Sequence, residues 1–213
     1  MENSIGVIVV AAGMATRFTK NKLLVKLDNN LTVLETVIKK FLNFKCIHEI
    51  ILVCSKENIN LIHAERLKDK RLIFCLGGKT RGESVANGIK MSNTDFVLIH
   101  DAARPFFTDD LIIRLLKKTS SIWDIVVPHL KISDSLKMIN NNTISTINRD
   151  NYFITQTPQL INVSVFRKII DIQKMFDWQD ELELYTKYYS SSKICLIEGE
   201  KDNLKLTFPK DLK

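Results

Sequence analysis

Short apolar runs rich in β-branched residues recur along the chain, with longer stretches of helical period between them. Residues 5–10, 49–53, 71–76, 96–99 and 125–127 read as strands. Leu34, Val37, Ile38, Phe41 and Leu42 repeat at the spacing of one helix face, and Leu111, Ile112, Leu115 and Leu116 form a second such stripe. Thr108, followed by Asp109 and Asp110, is placed to cap that second helix, with acids favourable in its first turn. Strands alternating with helices predict an α/β fold: a Rossmann-like, mostly parallel sheet with helices on both faces.

After Pro128 the rhythm changes. Residues 133–139 and 143–147 read as two strands around Asn140-Asn141-Asn142, a turn-forming triplet. This predicts a protruding β-hairpin arm over about 132–150. Helical segments return over 163–172 and 180–189, and strands over 194–197 and 204–207. No repeat or linker interrupts residues 1–213, so one domain is expected.

With 45% hydrophobic and 26% charged residues, the composition is that of an ordinary globular chain. No apolar run approaches the roughly 20 residues of a membrane span. Met1-Glu2-Asn3-Ser4 lacks the basic start of a signal peptide, so a cytoplasmic protein with no membrane partner is expected. Cys46, Cys54, Cys75 and Cys195 are far apart and form no CxxC pair, and they read as buried thiols. The net charge of +7, from 31 basic and 24 acidic residues, favours anionic partners. A solvated lysine-rich surface accounts for the same charge equally well. The basic residues are scattered and carry no nucleic-acid signature, so no nucleic acid is expected.

The unusual residues fall where strands end, at the edge where open parallel sheets bind ligands. Of seven glycines, Gly13, Gly77, Gly78, Gly82 and Gly88 lie in or beside two such loops. The first loop, AAGMATRF from Ala11, exposes backbone amides suited to phosphate and is followed by Arg17, Lys20 and Lys22. A tight turn with surface cations explains it as well, and it is not GxxxxGK[ST]. The second, GGKTRGESVANG, sets Arg81 and Ser84 on a loop entering a helix; a capped helix start is the plainer explanation. The third, HDAARPF, ends a strand on Asp101, a position suited to Mg²⁺, with Arg104 three residues on. Asp101 could instead pair with Arg104 or cap the next helix. QTPQ at 156–159 and NLKLT at 203–207 complete the set, with Lys205 read alone as a surface lysine. His48, His63, His100 and His129 are not clustered as metal ligands, and His100 reads as structural.

In this order AAGxxxRF, GGxxRxxSVxxG, HDAARP, QTPQ and NLKLT resemble the 2-C-methyl-D-erythritol 4-phosphate cytidylyltransferases over residues 5–212. The resemblance implies a fold of the nucleotide-diphospho-sugar transferase type. It implies transfer of CMP from CTP to 2-C-methyl-D-erythritol 4-phosphate, with release of pyrophosphate, in non-mevalonate isoprenoid biosynthesis. It assigns nucleotide binding to Ala11, Ala12, Gly13, Met14, Ala15, Gly78, Arg81, Ser84 and Asp101, and catalysis to Arg17, Lys22 and Lys205. Ala102, Arg104, Ser135, Arg149 and Thr157 match acceptor-site residues, and Asp101 matches the holder of Mg²⁺ or another divalent cation. The arm is expected to interlock two subunits of a homodimer.

The chain departs from the family pattern in several places. Ala15 stands where a second glycine is usual, Asn21-Lys22-Leu23 replaces Pro-Lys-Gln with shortened spacing, and Lys20 competes with Lys22 for the lysine role. Lys79 replaces a polar or acidic residue, and Gln179-Asp180 replaces Thr-Asp. Two alternatives stand beside the main reading: a ribitol-5-phosphate cytidylyltransferase, and an inactive homologue that binds nucleotide or a partner.

Overall fold

In the computed structural model, residues 3–13, 22–27, 30–56, 58, 67–119 and 122–211 are described. Met14, Ala15, Arg17 and Lys20 of the sequence reading lie outside them. The first strand, β1 (Ile5–Ala11), is almost continuously buried. Val7 and Val9 enter one apolar cluster and Ile8 the other, so both faces of the strand are covered. Full burial of each such side chain contributes about 1.5–3 kcal/mol.

Around β1 the described chain adds α1 (Val33–Leu42), β2 (Ile47–Cys54), β3 (Leu72–Leu76), α2 (Arg81–Met91), β4 (Phe96–Asp101), α3 (Asp109–Leu116) and β5 (Ile125–Lys131). A hairpin follows, β6 (Lys137–Asn140) and β7 (Thr143–Thr146). Then come β8 (Phe153–Thr155), β9 (Gln159–Asn162), α4 (Val163–Ile172), α5 (Glu181–Thr186) and β10 (Ile194–Glu198). The main sheet runs β10-β5-β9-β4-β1-β2-β3, with β8 paired to β5. Pairs β1–β2, β1–β4, β2–β3 and β5–β10 are parallel, whereas β9 is antiparallel to both β4 and β5. The expected mostly parallel sheet is therefore present, with an antiparallel strand inserted near its centre.

Helices cover both faces. The Val37, Ile38 and Phe41 stripe of α1 and Leu111, Ile112 and Leu115 of α3 pack on one side. Val85 and Ile89 of α2, Phe166 and Ile169 of α4, and Leu184 and Tyr185 of α5 pack on the other. The local starts are capped as their sequences imply. Thr32 and Glu35 form a reciprocal capping box on α1. Thr108 caps α3 by accepting a hydrogen bond from the Leu111 amide.

Three expectations need correction. Residues 204–207 form no strand: the segment is pinned by single contacts, such as the Leu206 amide donating to the Ala103 carbonyl at 2.8 Å. The first arm strand starts at Lys137 and not at 133. Cys54 and Cys75 are buried, but Cys195 is only half-buried and Cys46 is exposed. The Asn triplet does make the turn, with Asn141 and Asn142 at φ 43° and 66°, a region asparagine tolerates better than most residues.

Candidate active site

The strand order reverses between β1 and β4: β2 and β3 lie to one side of β1, β4 to the other. Ligands of open α/β sheets bind at such a switch point, beyond the carboxyl ends of the strands. Val10 of β1 pairs in register with Asp101 of β4, so the sheet delivers Ala11 and Asp101 side by side to that edge. Asp101 is 8% exposed.

Two cavities open there. The first, about 540 Å³, is lined by the β1 loop (Ala11, Ala12, Gly13), by Gly78 to Arg81 and Ser84 at the start of α2, and by Lys22 and Asp101. Among the described lining residues its cations are Lys22, Lys79, Arg81 and Lys205, and its carboxylate is Asp101. That balance suits a polyanion. The second, about 440 Å³, is lined by Arg104, Thr155, Gln156, Thr157, Gln159, Gln179, Asp180 and Glu183. Its hydroxyl, amide and carboxylate groups suit a small polar ligand. Arg81, Asp101 and Lys205 line both cavities and form the wall between them.

The loops of the first cavity are set by close packing. A β-carbon on Gly77 would stand 2.3 Å from that of Ala12, so glycine lets the β3 loop lie against the β1 loop. Ser84 accepts from the Gly78 amide at 3.0 Å and donates to the Thr80 carbonyl at 2.9 Å. Ser84 thus shapes the glycine loop from behind. Lys22 donates to the Leu206 carbonyl at 2.9 Å, joining the segment after the β1 loop to the C-terminal segment.

Lys205 is carried by an irregular stretch held on both sides. Arg104 Nη1 donates to the Asn203 carbonyl at 2.9 Å, and buried Asn203 donates through Nδ2 to the Thr157 carbonyl at 2.9 Å. From there Lys205 Nζ reaches Asp101 Oδ2 at 2.6 Å. Arg81 Nε donates to Asp101 Oδ1 at 3.1 Å. The pairing of Asp101 with the Arg104 side chain, open in the sequence, does not form; Arg104 closes a backbone turn on the Asp101 carbonyl instead. Burial alone would raise the Asp101 pKa, but Arg81 and Lys205 overcome it and hold the carboxyl well below the usual range. Asp101 is therefore an ionised carboxylate at neutral pH.

Behind Asp101 runs a chain of polar groups. The Asp101 amide donates to the Thr157 hydroxyl at 3.1 Å, and that hydroxyl meets His100 Nδ1 at 3.2 Å. His100 Nε2 meets the Arg104 carbonyl at 2.9 Å. A carbonyl only accepts, so Nε2 carries the proton and Nδ1 accepts from Thr157. Burial pushes the His100 pKa down to about 3, so the ring is neutral, in keeping with a structural role. Thr157 and Ala102 are buried supports of this wall.

Ser135 and Arg149 line neither cavity of the single chain. They flank the hairpin, where the Arg149 guanidinium donates to the Ser133 carbonyl. Glu181 carries no functional mark in the sequence. It is fully buried and accepts from Arg81 Nη1 and Nη2 at 2.8 and 3.2 Å. Its partner lies 100 residues earlier in the chain, and ELELY reads only as the start of a helix.

A family model described as 2-C-methyl-D-erythritol 4-phosphate cytidylyltransferase (IspD) matches residues 5–213. An enzyme of that name from Dictyoglomus thermophilum is 32% identical across all of this chain and 94% of its own length. The bifunctional enzyme IspD/IspF of Pelagibacter ubique is 32% identical over 97% of this chain. The chain spans about half, 55%, of that longer relative. Among solved structures, 4-diphosphocytidyl-2C-methyl-D-erythritol synthase from Anaerococcus prevotii superposes with a TM-score of 0.86 at 26% identity. That match covers 99% of this chain and 93% of the other.

Proposed function

This chain belongs to the 2-C-methyl-D-erythritol 4-phosphate cytidylyltransferase family and is a nucleotidyltransferase, and we propose that its two clefts divide the substrates between them. CTP occupies the cationic cleft of the β1 and β3 loops, and 2-C-methyl-D-erythritol 4-phosphate the polar cleft beside Arg104 and Thr157. The observation that carries this reading is the shared wall of Arg81, Asp101 and Lys205, where two anionic ligands would meet.

At that wall a phosphate oxygen of the acceptor bonds to the α-phosphorus of CTP. The bond from that phosphorus to the oxygen bridging it to the β-phosphorus breaks, and pyrophosphate leaves with the electron pair. The product is 4-diphosphocytidyl-2-C-methyl-D-erythritol, an intermediate of non-mevalonate isoprenoid biosynthesis. The acceptor phosphate is already an anion, so no general base is required. The residues' task is to align two polyanions and to stabilise charge. Lys205 serves the reacting phosphates from the wall, Lys22 from the nucleotide side, and Arg17 joins them on the strength of the motif.

The reading includes a divalent cation, Mg²⁺ in the first place. Among the described residues no three side chains cluster as metal ligands. The donor chemistry still fits: Asp101 is an ionised carboxylate whose oxygens here accept from Arg81 and Lys205, an ion would take the place of one of these contacts, and Mg²⁺ commonly takes one or two carboxylates with phosphate oxygens and water. When bound, the ion supplies further neutralisation of the phosphates. Among the described residues no helix is long and apolar enough to cross a membrane, and the reading locates the enzyme in the cytoplasm with its nucleotide substrate.

The arm fits a homodimer. Met138, Ile139 and Ile144 on the hairpin are 47%, 76% and 71% exposed, an apolar surface that a second copy would cover. Ser135 and Arg149 at its root would then face the acceptor cleft of that copy.

The division of substrates is tested by a pair of variants. Ser84→Ala, which loosens the glycine loop, raises the KM for CTP and spares that of the acceptor. Arg104→Met does the reverse. Equal shifts of both constants in both variants would contradict the division.

A further inference from the structure

The reaction just described gives Glu181 no task, yet the chain buries this carboxylate completely. A buried charge is costly unless it is paired and hydrogen-bonded. Glu181 meets that condition by accepting from both terminal nitrogens of Arg81, at 2.8 and 3.2 Å. Its backbone is also fixed. Glu181 opens α5, whose cap, Asp180, accepts from the Glu183 amide at 2.9 Å and from the Thr155 hydroxyl at 2.6 Å.

The consequence falls on Asp101. An arginine fork can present two parallel N–H groups to one carboxylate. Because Glu181 engages Nη1 and Nη2, Arg81 meets Asp101 through Nε alone, at 3.1 Å. Freed from Glu181, the guanidinium could turn and take Asp101 through two donors. It would then turn the carboxylate and compete for Oδ2 with Lys205, which holds that oxygen at 2.6 Å, and with any cation brought there by phosphate.

We propose that Glu181 is a positioning residue for cytidylyl transfer: by occupying both terminal nitrogens of Arg81 it limits that arginine to a single contact with Asp101 Oδ1, and so keeps the Asp101 carboxylate oriented, with Oδ2 toward Lys205, at the wall between the clefts. The inference rests on the cytidylyl-transfer reading. It adds a residue that touches neither substrate.

The test compares the full-length chain with Glu181→Gln, which keeps the size but offers a single acceptor oxygen. Two readouts go beyond folding: kcat against KM for CTP, and Mn²⁺ binding to the CTP complex measured by electron paramagnetic resonance. The expected result is a kcat lower by about tenfold or more, the scale of a misplaced reacting group. The KM for CTP stays close to wild type, and Mn²⁺ binding weakens severalfold. Glu181→Asp carries the same test if Glu181→Gln fails to fold, because the shorter side chain keeps the charge but withdraws it from Nη1 and Nη2 of Arg81. Folded variants with wild-type kcat and Mn²⁺ binding, and only a lower melting temperature, would overturn the proposal. If the wild-type chain releases no pyrophosphate, the functional reading fails. The Mn²⁺ comparison still decides the role of Glu181 in that case.

Discussion

Gly77→Ala perturbs the cleft at one defined contact. The added methyl would sit 2.3 Å from the β-carbon of Ala12 and 3.1 Å from Ser84 Oγ, whereas ordinary contact begins at 3.4 Å. The β1 and β3 loops must therefore separate by about 1 Å. Overpacking of this kind costs about 1–3 kcal/mol, or a melting temperature lower by roughly 2–4 °C per kcal/mol in a chain of this size. The loops that separate are the ones proposed to hold CTP. A displacement of about 1 Å is enough to cost of the order of a hundredfold in turnover. Thermal unfolding and steady-state kinetics with CTP as the varied substrate measure both effects. The decisive variant is Ala12→Gly/Gly77→Ala, which removes the clashing methyl and leaves only the Ser84 contact, short by a few tenths of an ångström. It should recover most of the stability and most of the CTP affinity, a non-additivity expected of residues in direct contact. Additive losses in the double variant, or a Gly77→Ala protein indistinguishable from wild type, would refute the packing account.

Three further outcomes follow from the same geometry. Asp101→Asn keeps the shape of the wall but removes its negative charge; turnover should fall by about a hundredfold or more, while CTP binding measured by calorimetry holds or tightens. The neutral His100, with its pKa near 3 in the fold against 6.5 unfolded, contributes stability that is complete above pH 6.5 and is lost as the pH falls towards 3. Urea unfolding at pH 7 and pH 5 should show a loss of about 2 kcal/mol from this site, missing in His100→Gln. Ile139→Lys with Ile144→Lys charges the exposed arm and should convert a dimer to a monomer in sedimentation, with loss of activity if Ser135 and Arg149 serve the neighbouring cleft.

The sheet was legible because its strands are buried on both faces. Runs such as IGVIVVA and IILVC leave little choice but a covered parallel strand. The arm was legible through its asparagines, whose tolerance of positive φ marks the turn. Strands β8 and β9 were missed because FIT and QLIN are only three and four residues long and lie either side of a proline. Their pairing is decided by β4 and β5, elements distant in sequence. The supposed strand at 204–207 misled for the opposite reason. Leu204, Lys205, Leu206 and Thr207 alternate apolar and polar, yet Leu204 is exposed beside Lys205, and side chains from Lys22 and Arg104 and the Ala103 carbonyl hold the segment. In the site, Asp101 was marked by ending a strand and Lys205 by the ordered motifs. Glu181 carried no local mark, since its meaning comes from Arg81 across 100 residues of chain.

The most direct measurement is pyrophosphate release from CTP and Mg²⁺ with 2-C-methyl-D-erythritol 4-phosphate and ribitol 5-phosphate offered in parallel. The account predicts release with the methylerythritol phosphate, slowed about a hundredfold or more in Asp101→Asn. Release with ribitol 5-phosphate alone, or with neither acceptor, would contradict it.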